Sequence, residues 1–182
     1  MSVKLHLGCG KRHIHDYINI DLDHTVNPDI CRTVHDIYPE YIEVDEIYAC
    51  HVLEHFSRKI SPTYMEVLAN WYSALRSGGI LKVAVPDFGT VVGMYWEGKA
   101  FLEDLQGFLN GGQKSSLDIH YVNFDYPLLK KSLEAVGFKK VAIYDWRTTS
   151  HAHIDDYSQS FLPHMDKVNG TLMSLNMYGV KP

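Results

Sequence analysis

The chain has little cysteine: three residues in 182, namely Cys9, Cys31 and Cys50. Their number is odd and no CxxC pair occurs, which argues against a disulfide framework or a zinc ribbon. Free thiols fit a reducing compartment. Long apolar runs are also missing, so nothing in the sequence suggests a bilayer span. Met1-Ser2-Val3-Lys4 leads straight into a strand pattern, with no apolar leader core or cleavage site, and the expected location is cytoplasmic. An excess of positive charge is absent too. Lys and Arg number 17 against 22 Asp and Glu, for a net charge of -5, and they are scattered. That leaves no basic footprint for a nucleic-acid backbone, so no nucleic-acid partner is expected. Internal repeats, low-complexity tracts and Pro/Gly/Ser-rich linkers are lacking. A single domain over 1–182 is expected from the length.

What is present is an alternation of strand-like and helix-like segments. Strands are expected at 3–7, 17–21, 30–34 and 44–50. A helix is expected to open at Ser61-Pro62, carry Tyr64, Val67, Leu68, Trp71 and Leu75 on one face, and stop at Gly78-Gly79. Residues 80–85 are apolar apart from Lys82 and read as a central strand buried on both faces. Asp125 is placed to cap a helix bearing Leu129, Leu133 and Val136, with Gly137 as its stop. Strands at 139–144 and 172–180 close the pattern. This order predicts an α/β fold, a three-layer Rossmann-like sandwich on a mostly parallel sheet. Two stretches stand outside it. Residues 88–122 hold amphipathic pieces around 90–95 and 99–109, and residues 146–170 are polar and irregular.

The first strand ends in Gly8-Cys9-Gly10. Glycines there let backbone approach a ligand closely and adopt dihedrals that a Cβ forbids. In open α/β sheets, ligands bind beyond the carboxyl ends of the strands. Asp21 ends the next strand, where a carboxylate can accept both hydroxyls of a ribose. Asp36 follows the third, within reach of an adenine. A dinucleotide fingerprint wants a third glycine and an acid about 20 residues on. Here His13 holds the third position and Asp21 comes sooner, which disfavours a nicotinamide cofactor.

Taken in order, the segments HLGCGKR (6–12), YINIDLD (17–23), HDI (35–37), DEIYACHVLEHF (45–56) and ALRSGGILKVAVPDF (74–88) resemble the class I S-adenosylmethionine-dependent methyltransferases. More narrowly they are similar to a compact group with LGCG and HVLEH signatures. The likeness resumes at 124–145, which looks like the last helix and sixth strand of that fold. It implies a seven-stranded sheet with its last strand antiparallel, and S-adenosyl-L-methionine as cofactor. It places Gly8 and Gly10 at the methionine part, Asp21 at the ribose and Asp36 at the adenine. Cys50 and His51 go to the methyl-donor side, and Leu7, Cys9, Leu22 and Ile37 belong to the same site. His6 stands where the wider class often has an acid. The usual N-terminal capping helices are missing, so residues 88–122 and 146–170 are the expected substrate-side insertions.

Methyl transfer from a sulfonium needs alignment and exclusion of water more than activation. A hydroxyl acceptor also needs a base, for which a neutral imidazole suits pH 7. His51 and His55 sit at i and i+4 of HVLEH, with Glu54 beside them, and share a face if that stretch is helical. His55 is the candidate base, His51 a positioning residue, and Asp87 a cleft residue that either binds a substrate hydroxyl or caps the next helix. His120 and Tyr121 are placed to project over the site. The glutamate of HVLEH is misplaced for zinc-protease chemistry. His151 and His153 with Asp155 and Asp156 read as a solvated loop rather than a metal site, and His13 and His15 likewise. Tyr95 and Trp96 read as core. No metal ligand is assigned. The expected partner is a small-molecule methyl acceptor, and O-methylation of a sugar or glycan precursor leads. N-methylation, or a cofactor-binding scaffold without turnover, are the alternatives.

Overall fold

A computed structural model describes residues 2–182. The chain runs through β1 (Lys4–Leu7), β2 (Ile18–Asp21), β3 (Ile30–Cys31), β4 (Val44–Cys50), α1 (Tyr64–Ala74), β5 (Leu75–Pro86), α2 (Phe88–Trp96), α3 (Leu102–Asn110), α4 (Tyr126–Val136), β6 (Lys139–Ile143), β7 (Phe161–Leu162), β8 (Thr171–Leu172) and β9 (Ser174–Val180). Seven strands form one sheet in the order β3-β2-β1-β4-β5-β9-β6, and β7 and β8 pair separately. The first five of these neighbours are parallel, with Leu5 opposite both Ile18 and Ile47. β9 is antiparallel to β5 and to β6. The strand order turns back beside β1, which opens a crevice past the carboxyl ends of β1 and β4.

One face of the sheet carries the main core. Leu5, Leu7, Ile47, Ala49, Leu81 and Val83 pack against Val67, Leu68 and Trp71 of α1 and Leu129 and Leu133 of α4. Trp71 is wholly buried, and its Nε1–H donates to the Val34 carbonyl at 2.6 Å. That bond pins the segment after β3 to α1. The opposite face carries Tyr48, Cys50 and Ala84, since alternate residues of a strand point to opposite sides. Its cover comes from Ile14, Tyr17, Tyr144 and Ile154 rather than from an α-helix.

Several local expectations shift. Thr63, not Ser61, caps α1: its hydroxyl accepts from Glu66 N–H while the Glu66 carboxylate accepts from Thr63 N–H, a reciprocal capping box. That helix ends at Ala74 and passes directly into β5, so Gly78 and Gly79 lie within the strand. A Cβ on Gly79 would come 2.9 Å from the carbonyl oxygens of Arg76 and Val44, so a side chain is excluded where β5 slips register against β4. β3 is shorter than expected, and the strand expected over 172–180 is interrupted at Met173, which separates β8 from β9. Tyr95 and Trp96 are 59% and 87% exposed instead of core, because α2 buries Val91 and Met94. Among the described residues, no helix is long and apolar enough to cross a membrane.

Candidate functional site

The glycine turn is tied to β2 from both sides. Gly8 and Cys9 N–H donate to the Ile20 carbonyl at 2.8 and 3.2 Å. Gly10 N–H donates to Asp21 Oδ2 at 2.8 Å, and Asp23 N–H to Oδ1 at 2.9 Å. Asp21 therefore holds the turn closed while its carboxylate faces a cavity of about 550 Å³, which Gly8 and Asp21 both line. Gly8 adopts φ 65°, and a Cβ there would run into the Val52 side chain. The cavity floor stays open because no side chain fills that cradle. Burial, reinforced by Asp21, pushes the Cys9 thiol up to about 12, so it stays protonated.

The cavity gathers Gly8, Asp21, Leu22, His51 and His55 from the sequence-derived set, and Tyr121 from its proposed cover. Other members fall elsewhere. Leu7 and Ile37 are wholly buried in the main core. Cys9 and Gly10, in the turn itself, do not line the cavity, and Cys9 is buried. Asp36 stands at the surface, where it accepts the Thr33 hydroxyl at 2.6 Å. The lining there comes from Thr33, Val34 and His35 instead. Cys50 faces away: strand alternation puts it with Tyr48, under Ile14 and Tyr17. Asp87 caps α2, accepting from Gly89 N–H at 3.1 Å and the Thr90 hydroxyl at 2.7 Å, so its carboxylate is spent on the helix start. The cap was one of its two expected roles.

The stretch after β4 is not an α-helix. His51 takes φ 53°, and Leu53–His55 form a single 3-10 turn. The two histidines are therefore placed by separate partners rather than by one helical face. His55 Nδ1–H donates to the Ile119 carbonyl at 3.0 Å. His51 Nε2 meets Ser174 Oγ at 3.2 Å. The Ser174 hydroxyl proton goes to Asn176 Oδ1 at 2.9 Å, while Asn176 Nδ2 donates to the Ser158 carbonyl at 2.8 Å. That chain makes His51 Nε2 the protonated nitrogen and turns Nδ1 toward Glu54 Oε1, 3.5 Å away. Burial lowers His51 to about 3, and also lowers His55 and His120. Glu54 is completely buried and burial raises it to about 8. The close His–Glu approaches are therefore not ion pairs at neutral pH, since the imidazoles stay neutral.

The rest of the wall comes from Phe56, Ser57, Ile60, Ser61 and Pro62 on one side and Ser116 and Leu117 on the other. The first group was not singled out from the sequence as lining, while Ser116 and Leu117 lie within 88–122, one of the two expected substrate-side insertions. Ser61 and Pro62 carried a helix-start signal that hid their position in the wall. Of 146–170, Tyr157 approaches the site, its ring 5.3 Å from that of His51. His151 is 2% exposed and packs 4.4 Å from the Tyr48 ring, so it is not a solvated loop residue.

No protein-family model and no curated protein sequence matches the chain. Solved structures do. An S-adenosylmethionine-dependent methyltransferase from Archaeoglobus fulgidus superposes with TM-score 0.57 at 14% identity, over 99% of this chain and 86% of that one. Burkholderia thailandensis 1,6-didemethyltoxoflavin-N1-methyltransferase, solved with its substrate and S-adenosylhomocysteine, gives 0.57 at 16%, over 99% and 71%. A chain from the complex between the Haloferax volcanii Trm112 methyltransferase activator and a protein named as a methyltransferase gives 0.59 at 16%, over 100% and 83%. The fold is that of the class I S-adenosylmethionine-dependent methyltransferases: a seven-stranded, mostly parallel sheet with one antiparallel strand inserted near the end.

Proposed function

We propose that the chain is an S-adenosylmethionine-dependent methyltransferase that methylates a hydroxyl of a small molecule, of the kind a sugar or glycan precursor carries. The observation that carries this reading is one continuous cavity joining the Gly8–Asp21 end to the histidine wall. Its volume, about 550 Å³, falls in the range of small-ligand sites. The open cradle at Gly8 and the acceptor oxygens of Asp21 fit the amino-acid and ribose parts of the cofactor, with Leu22 beside them. Thr33 to His35 stand where the adenine belongs, in place of Asp36 and Ile37.

Bound S-adenosylmethionine supplies a methyl group activated by positive charge on sulfur. The protein's part is to align an acceptor and deal with its proton. His55 Nδ1 is committed to a backbone carbonyl, so the lone pair left for chemistry is on Nε2. It serves either to take the hydroxyl proton or to hold a cation that acidifies it. His51 positions. Segments 56–62 and 116–121 close over the cavity and restrict water. An amine acceptor is less well served, because among the described residues Asp21 is the only carboxylate in the lining and it belongs to the turn. Calorimetry with S-adenosylmethionine and S-adenosylhomocysteine tests the first step, and no binding of either rejects the reading. A labelled-methyl transfer assay across small-molecule pools tests the second. Product with an N-linked methyl, or binding without any transfer, replaces O-methylation by one of the alternatives.

A further inference from the structure

Around Glu54 three imidazoles bring lone-pair nitrogens close to a carboxyl that has no hydrogen-bond partner. Both carboxylate oxygens of Glu54 are buried without a partner. His55 and His120 each give their Nδ1–H to a backbone carbonyl, of Ile119 and Phe108, both at 3.0 Å. Carbonyls only accept, so in both rings Nε2 is the lone-pair nitrogen. His120 Nε2 lies 4.0 Å from Glu54 Oε1, and the two rings meet edge to face at 4.9 Å. Glu54, His55 and His120 each offer one ligand atom, all within 4.8 Å of one another. His51 turns a third imidazole lone pair toward the same carboxylate at 3.5 Å. Burying a carboxyl with no hydrogen bond is costly unless something positive shares the space. A single proton satisfies one of these acceptors, whereas a metal ion satisfies several.

We propose that Glu54, His55 and His120 are the protein ligands of a divalent first-row transition-metal ion at the acceptor end of the cavity, and that this ion binds the acceptor hydroxyl. Two imidazoles and one carboxylate are a donor set for zinc, manganese, iron or cobalt rather than for calcium. A backbone carbonyl on each Nδ1–H is the usual outer-shell device that aims Nε2 at a metal. Ligand atoms bound about 2.1 Å from one ion sit roughly 3–3.5 Å apart, so the cluster contracts by about an ångström on binding. His55 and Tyr121 line the cavity, which leaves the ion open on that side.

The inference rests on the O-methylation reading and assigns the His55 lone pair to the ion. The metal-bound hydroxyl then loses its proton to solvent more readily. Its oxygen lone pair forms the bond to the methyl carbon, the carbon–sulfur bond breaks, and that electron pair stays on sulfur as a neutral thioether.

Equilibrium dialysis of the full chain against zinc or manganese, followed by elemental analysis, tests the site. One ion per chain is expected, with a visible cobalt absorption band after exchange. Glu54→Gln and His120→Ala should each weaken binding at least tenfold with unchanged far-UV circular dichroism. His15→Ala, at an exposed loop, should not. If the Glu54 variant fails to fold, His120→Ala together with the cobalt spectrum decides. No binding up to about 1 mM, or equal binding in wild type and both variants, overturns the proposal. S-adenosylhomocysteine titrations on the same samples separate the two readings. An ion without nucleoside binding sinks the methyltransferase reading, and nucleoside binding without an ion sinks the metal.

Discussion

Two clusters of buried histidines flank β4, and they are built on opposite logic. On the sheet face beside Ile14 and Tyr17, His6 shares its Nδ1 with Asn19 Oδ1 at 3.1 Å, and Tyr48 donates to Asp156 Oδ2 at 2.6 Å. His151 packs between Tyr48 and Tyr17, tilted against the first ring and edge-on to the second. At the carboxyl edge, His51, His55 and His120 surround a carboxyl that nothing satisfies, and His51 and His55 open to a cavity. The first cluster also leaves His151 Nδ1 and the Tyr144 hydroxyl without a partner, but none of its histidines lines the cavity, whereas two of the second do. Histidine abundance therefore says little. What separates the two sets is whether a ligand can reach the free nitrogen: His51 and His55 line the cavity, and His6 and His151 do not.

The comparison breaks most sharply at His151. Removing that ring from between two tyrosines leaves a cavity, and His151→Ala should cost about 3–4 kcal/mol of stability by urea denaturation, with near-normal turnover per folded molecule. A large loss of turnover at unchanged stability would move His151 into the functional set.

His6 offers the next largest effect. Burial lowers its folded value to about 4 from 6.5. Between those values the unfolded chain binds more protons, so stability rises with pH there. The contribution is complete above pH 6.5 and is lost as pH falls toward 4, by about 3 kcal/mol in all. Denaturation midpoints at pH 7 and pH 4.5 measure the sum over the buried histidines, and the difference between wild type and His6→Gln isolates the His6 share. An equally steep loss in that variant assigns it to other groups.

On the other cluster, His55→Ala should leave S-adenosylhomocysteine affinity near normal and lower turnover at least tenfold, about 1.4 kcal/mol of transition-state stabilisation. Near-unchanged turnover would reject His55. The smallest effect belongs to Asp87→Ala. Loss of the α2 cap should lower stability by about 1 kcal/mol, and a midpoint identical to wild type would show that the cap contributes nothing.

Much of this was legible in the residue order. The run of apolar residues from Ile80 to Val85 located the central strand, and Asp125 with Gly137 bracketed α4 as observed. Both are short-range signals, in which local sequence and final structure agree. The misplaced features have a common physical cause. Ser61-Pro62 looks like a helix start, but Thr63 with Glu66 forms the stronger reciprocal cap and won. Cys50 and His51 are neighbours in sequence. The end of a strand sends one to the tyrosine face and the other, through a left-handed backbone, to the cavity. Trp96 has the spacing of a core residue, yet α2 turns it outward.

By itself the sequence determined the sheet, the glycine turn with its acidic partner on β2, and the place of HVLEH at the carboxyl edge. Those depend on periodicity and on backbone conformations that few residue types accept. Tertiary structure alone decided which nitrogen of each histidine is free. The partners that decide it, Ile119 for His55, Phe108 for His120 and Ser174 for His51, lie far along the chain. A tautomer is set by whichever carbonyl or hydroxyl the fold brings within about 3 Å, and no local pattern encodes that choice.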